Sequence, residues 1–176
     1  MRRVNAILSM IILVLFLIHG VLGAFNLMGS NVTSKVLAWV MTGLIGLHAV
    51  IGVILTIQTL SAQKKAGVSY RKENRIFWAR RISGYVIMIL IFFHITAFTL
   101  SSTGTLPEFH LFRLLTQLLL VIAIAFHVLS NVKPMLIALG IKKLKPKPGD
   151  LLFWISLLLL VMAVGFVIYY LRWNAV

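Results

Sequence analysis

Apolar residues gather along this chain in long continuous runs, near residues 4–28, 36–60, 82–100, 111–129 and 151–171. Each is long enough, or nearly so, to cross a bilayer core that takes about 20 apolar residues. Strands of a membrane barrel would alternate apolar and polar positions, so continuous runs predict helices. The joints between them, NLMGSNVTSK, SAQKKAGVSYRKENR, SSTGTLPE and KKLKPKPGD, carry turn chemistry. The expected fold is all-α and polytopic, with five transmembrane helices over about 4–28, 36–60, 77–101, 108–131 and 151–172. No segment outside the helices is large enough to fold alone, so residues 1–176 are expected to form a single bundle domain.

Composition supports that reading. The chain is 61% hydrophobic and 11% charged, with a mean hydropathy of +1.04. A soluble domain is nearer half apolar and a quarter charged. The net charge of +14 would be compatible with nucleic-acid binding if it formed one patch. Instead, with the N-terminus inside, Arg2, Arg3, Lys64, Lys65, Arg71, Lys72, Arg75, Arg80, Arg81, Lys133, Lys142, Lys143, Lys145 and Lys147 share one face, 14 of the 17 basic residues. Only Lys35, Arg113 and Arg172 fall towards the other. The positive-inside rule then predicts a cell-membrane protein with a cytoplasmic N-terminus and an external C-terminus. Anionic lipid or a docked partner accounts for the basic loops, and no nucleic acid is expected. Trp39, Trp78, Trp154 and Trp173 lie near run ends, as interfacial belt residues do. MRR before an apolar stretch resembles a secretory signal, but the run is too long for a signal core of about 7–15 residues. Without cysteine the chain offers no thiolate for an iron–sulfur cluster and no attachment for a c-type haem.

The chemistry sits in the histidines. LIHGVLG and GLHAVIG place His19 and His48 in the same HxVxG setting, with Gly23 and Gly52 one turn further on the same face. His94 and His127 lie in the third and fourth runs, the fifth has none, and His110 stands beside Glu108 before helix 4. Intramembrane ionisable side chains are rare and usually functional. A proton relay would want acidic residues along its path, whereas Glu73, Glu108 and Asp150 all lie near membrane surfaces. Zinc would need four ligands at one depth. Haem b takes two axial imidazoles and buries a large apolar ring between helices, so four histidines would hold two haems. At 1.5 Å per residue, His19 lies ~24 Å from Arg3 and His94 ~20 Å from Arg81, both in the outer half. His127 lies ~9 Å from Lys133, near the inner edge, and His48 is close to mid-membrane and ambiguous. Elimination pairs His19 with His94 and His48 with His127. A glycine beside each histidine would admit a macrocycle, although Gly43, Gly46 and Gly52 would equally serve small-residue helix packing.

GLHAVIGV, KKAGVSYRKENRIFWARR and RRISGYVIMILIFFH resemble the membrane-anchor cytochrome b subunit of succinate:quinone oxidoreductases, the succinate dehydrogenase and fumarate reductase family, in its single-chain, five-helix, two-haem form. The likeness runs from about Gly46 to Thr99, with FHVLSN around His127 a weaker echo. It implies an inner haem on His48 and His127 and an outer haem on His19 and His94. It also implies a flavoprotein and an iron–sulfur subunit docked on the cytoplasmic face, and electron exchange with quinone, menaquinone being the expected type. The chain would be the electron-transfer subunit of that enzyme, and the dicarboxylate site would lie on the flavoprotein.

Helical phase adds candidates. Arg80 and Ser83 return to nearly the face of His94 and suit propionates or partner contacts, while Arg81 reads as part of a solvated basic helix start. Arg113 lies near the face of His127, with Gln117 one turn on, and suits an outer propionate or snorkelling to headgroups. Polar residues near the outer pair, Asn26, Ser101, Glu108, His110 and Arg113, are the quinone candidates that the resemblance implies, and Glu108 and His110 could pass protons. The stretch KPMLIALGIKKLKP could lie at the interface, extend helix 4 or form a basic loop. Rival readings are a hydrogenase or formate dehydrogenase type anchor, a metal transporter using histidines and methionines without haem, and a haem-free assembly anchor.

Overall fold

A computed structural model describes residues 1–30, 34–67, 74–99, 111–141 and 148–174. Five helices follow one another: α1 (Arg2–Leu27), α2 (Lys35–Lys65), α3 (Arg75–Thr99), α4 (Leu111–Ala138) and α5 (Pro148–Asn174). All five are long and apolar enough to cross a membrane, and the chain is a multi-pass helical membrane protein. Their outward faces carry large apolar side chains such as Phe92, Phe112 and Ile122, as lipid-facing surfaces do. Trp39, Trp78 and Trp154 are exposed on those faces.

Local chemistry sets the helix ends. The Ser34 hydroxyl accepts the Leu37 N–H at 3.2 Å and caps α2. Helices α1 and α4 both stop on a glycine with positive φ, Gly29 at 106° and Gly140 at 90°. Past each glycine the chain turns back, with Ser30 N–H on the Phe25 carbonyl and Ile141 N–H on the Leu136 carbonyl. Such a cap satisfies carbonyls that the helix leaves open, and a side chain at that φ would be strained. Helix α4 therefore continues beyond the expected end near 131, through Pro134 to Ala138, and takes up the start of the KPMLIALG stretch. Helix α2 likewise runs five residues beyond 60, to Lys65.

The bundle is packed unevenly. Helix α3 packs on α4, α1 on α2, and α5 on both α1 and α4, with a smaller contact between α1 and α4. The main core cluster joins α1, α4 and α5 through Leu27, Leu114, Val121, Ile155, Leu159, Met162, Phe166 and Tyr169. Small residues let α1 and α5 approach: Met162 fills the space beside Gly20, and a Cβ on Gly165 would stand 3.7 Å from Ala24. Arg172 at the end of α5 donates to the Met28 carbonyl at 2.9 Å and ties the two helices together. By contrast, among the described residues α2 has no extended packed face on α3, α4 or α5, and α1 has none on α3. The histidines occupy those two gaps.

Candidate functional site

A cleft of about 210 Å³ lies between α1, α2, α3 and α4. His48 of α2 and His127 of α4 both line it, among apolar neighbours that include Ile12, Phe16, Ile45, Ile87, Ile91 and Ile124. Its polar lining is Ser9, Arg80, Arg81 and Asn131, together with Tyr85. Two imidazoles on a mostly apolar lining are the donor set and the surroundings that a flat apolar ligand calls for.

The ring nitrogens are oriented by their neighbours. Ser83 donates its hydroxyl to the Arg80 carbonyl at 3.0 Å and stands 2.9 Å from His127 Nδ1. With that proton on the Arg80 carbonyl, the hydroxyl can accept from Nδ1–H, the arrangement that keeps the His127 Nε2 lone pair available. Ser9 repeats the arrangement more loosely, donating to the Asn5 carbonyl at 2.7 Å and standing 3.4 Å from His48 Nδ1. Metal-bound histidines are braced in this way, through the nitrogen that does not bind the metal. Gly84 leaves room for the ring: a Cβ there would lie 3.4 Å from His127 Cε1.

A second pair lies further along the bundle. The rings of His19 and His94 have centroids 6.1 Å apart and planes inclined at 77°. Taking about 2.0–2.1 Å for a metal–imidazole bond, as with zinc, two imidazoles across one metal ion would have centroids roughly 6.3 Å apart. His94 Nδ1 is 2.7 Å from Gln117 Oε1, and the Phe98 ring lies 5.2 Å from the His94 ring. No atom comes within 4 Å of a Cβ built on Gly23, one turn beyond His19. Among the described residues no group of three or more His, Asp or Glu side chains converges.

Spacing along the helices relates the two levels. Ser9 to His19 is ten residues, Ser83 to His94 eleven and Gln117 to His127 ten, which is roughly 15–17 Å on each helix. Each level thus joins helices that share no packed face, α2 with α4 and α1 with α3. The donor set, the mostly apolar lining and the free space suit a bis-imidazole macrocycle at the His48–His127 level, and the His19–His94 level offers the same donor pair.

No protein-family profile, curated protein or solved structure matches this chain.

Several expected roles change. Arg80, expected at propionates or partner contacts, lines the cleft, and its Nε donates to the Ser130 carbonyl at 2.8 Å. Pro134 explains this: it has no N–H, so the carbonyl four residues earlier lacks its helical partner. Ser83, expected by its phase near the face of His94, has its hydroxyl 2.9 Å from His127 Nδ1 on α4. Arg81, expected in solvent, is half-buried in the cleft wall, 5.2 Å above the Phe77 ring, with Nη1 3.9 Å from a Cβ built on Gly52. Its Nε is buried and has no hydrogen-bond partner among the described residues. Gly52 lines the cleft, one turn from His48. Arg113 is half-buried and interacts electrostatically with Tyr169 of α5. Asn26 is half-buried near the end of α1. Ser101, Glu108 and His110 lie outside the described residues. Ser9, Gly84 and the contact of Gln117 with His94 were missed in the sequence. Only the ten- and eleven-residue spacings from the histidines could have pointed to Ser9 and Gln117, and nothing marked Gly84.

Proposed function

We propose that this chain is a di-haem cytochrome b membrane anchor, the electron-transfer subunit of a succinate dehydrogenase or fumarate reductase complex. It would link a cytoplasmic flavoprotein and iron–sulfur module to quinone in the membrane. The observation that carries the cytochrome reading is the paired arrangement of the histidines. They form two levels, each bridging helices that are otherwise unpacked, with one ring at each level braced at Nδ1 by Ser83 or Gln117. The succinate-linked assignment is supported by the resemblance of residues 46–99 and by the concentration of basic residues on one face.

In this reading His48 and His127 hold the haem nearer the basic end, and His19 and His94 hold the other. Haem b, when bound, supplies reversible one-electron chemistry. The protein excludes water with apolar walls, fixes the imidazole tautomers through Ser83 and Gln117, and offers Arg81 to an anionic substituent. Arg2, Arg3, Lys64 and Lys65 present positive charge for lipid headgroups and for docked partner subunits.

Affinity capture of the tagged chain from its native membrane tests the partners. Flavin and iron–sulfur centres should be retained, and succinate should reduce the b-type absorbance. Retained nickel or molybdenum would indicate the hydrogenase or formate dehydrogenase type of anchor instead. Bound metal without any haem absorbance would indicate a transporter.

A further inference from the structure

Gln117 is the most deeply buried side chain among the described residues, with 1% of its surface exposed. Burying a carboxamide in a membrane helix costs free energy unless both of its ends are used. One end is used: Oε1 lies 2.7 Å from His94 Nδ1, across the α3–α4 contact. The other, Nε2, is buried without a partner among the described residues. A leucine here would fill similar space in the packed region of Leu114 and Val121 without leaving a polar atom stranded. The amide therefore has a purpose other than packing.

Its chemistry is specific. With Oε1 towards the ring, Nδ1 carries the proton and Nε2 of His94 keeps its lone pair for a metal. With the amide reversed, Gln117 would donate to Nδ1, and the proton would move to the nitrogen that a metal needs. Ligation by His94 through Nε2 thus requires the amide oxygen on the side of the ring.

We propose that Gln117 is the positioning residue of the His19–His94 level: it fixes the His94 tautomer and, by accepting from Nδ1–H, sets the electron donation of that imidazole to its iron. This rests on the haem reading above. The two levels differ here, because His127 is braced by a hydroxyl and His94 by the more polar carbonyl of an amide. A stronger acceptor makes the ligand more basic and favours ferric iron; a missing acceptor does the reverse.

The test is a potentiometric titration of the complete complex in its membrane, read from the b-type visible bands, with ferric low-spin EPR of the same samples. Gln117→Glu should shift one of the two components to lower potential. Gln117→Leu should shift the same component to higher potential or remove it, and the second component should stay in place. The EPR signal of the shifted component should change, because the His94 ring loses or strengthens its anchor. If Gln117→Leu removes both components, it reports misfolding, and the Gln117→Glu shift decides. Two components with unchanged potentials and EPR signals in Gln117→Glu would overturn the proposal while leaving the cytochrome reading intact. A wild-type complex without b haem would overturn that reading itself.

Discussion

Arg80 and Pro134 should be energetically coupled although they lie on different helices. Pro134 removes the N–H that would bond the Ser130 carbonyl, and the Arg80 guanidinium supplies a donor at 2.8 Å. Backbone groups in a membrane have no water to turn to, so an unmade bond there is costly. A hydrogen bond from a charged donor is worth about 1.5–3 kcal/mol, and Arg80→Leu should lose it while keeping an apolar stem against α4. For a chain of this size that corresponds to a drop of roughly 3–12 °C in melting temperature. Pro134→Ala restores the N–H and closes the helical bond to Ser130. In that background Arg80→Leu should cost about 1.5–3 kcal/mol less than in the wild type. Circular-dichroism melts of all four proteins in one detergent give the cycle. Arg80 also lines the cleft, but its contribution there is common to both backgrounds and cancels. An Arg80→Leu penalty that is the same, within about 0.5 kcal/mol, whether residue 134 is Pro or Ala would refute the reasoning.

Gly84 gives a graded test of the cleft. Gly84→Ala places a methyl at ordinary contact with His127 and should leave haem content nearly unchanged, whereas Gly84→Val should displace the ring and remove one b-type component. Equal haem content in the two variants would show that Gly84 does not shape the site. Orientation is accessible because the chain has no cysteine. In intact cells a membrane-impermeant maleimide should label Lys35→Cys and leave Lys65→Cys unlabelled, and the opposite pattern would invert the topology.

The five helices were legible because lipid selects continuous apolar runs, and the glycine-rich joints mark where they stop. Depth counting already put His19 with His94 and left His48 to be paired by elimination. Contacts between helices were harder to read. Phase arithmetic put Ser83 near the face of His94, yet its partner is His127 on the neighbouring α4. A single helix's phase says which residues share a stripe but not which other helix meets it. Arg81 reads as one more cation in a basic helix start, and only the gap left by the poor packing of α2 explains why it turns inward. The Arg80 contact was partly foreseeable: a proline inside a membrane helix always strands a carbonyl four residues back, and some donor has to answer it. Gln117 was noticed only for its spacing from Arg113, because nothing in one strip of sequence shows that it faces His94.

The most direct test of the central claim is a dithionite-reduced minus oxidised visible spectrum of the purified chain, produced together with its partners, with a pyridine haemochrome count. The account predicts two low-spin b haems per chain. His19→Ala or His94→Ala should leave one, and His48→Ala or His127→Ala should leave the other. Absence of haem from the wild-type chain, or a haem count that none of the four substitutions changes, would contradict it.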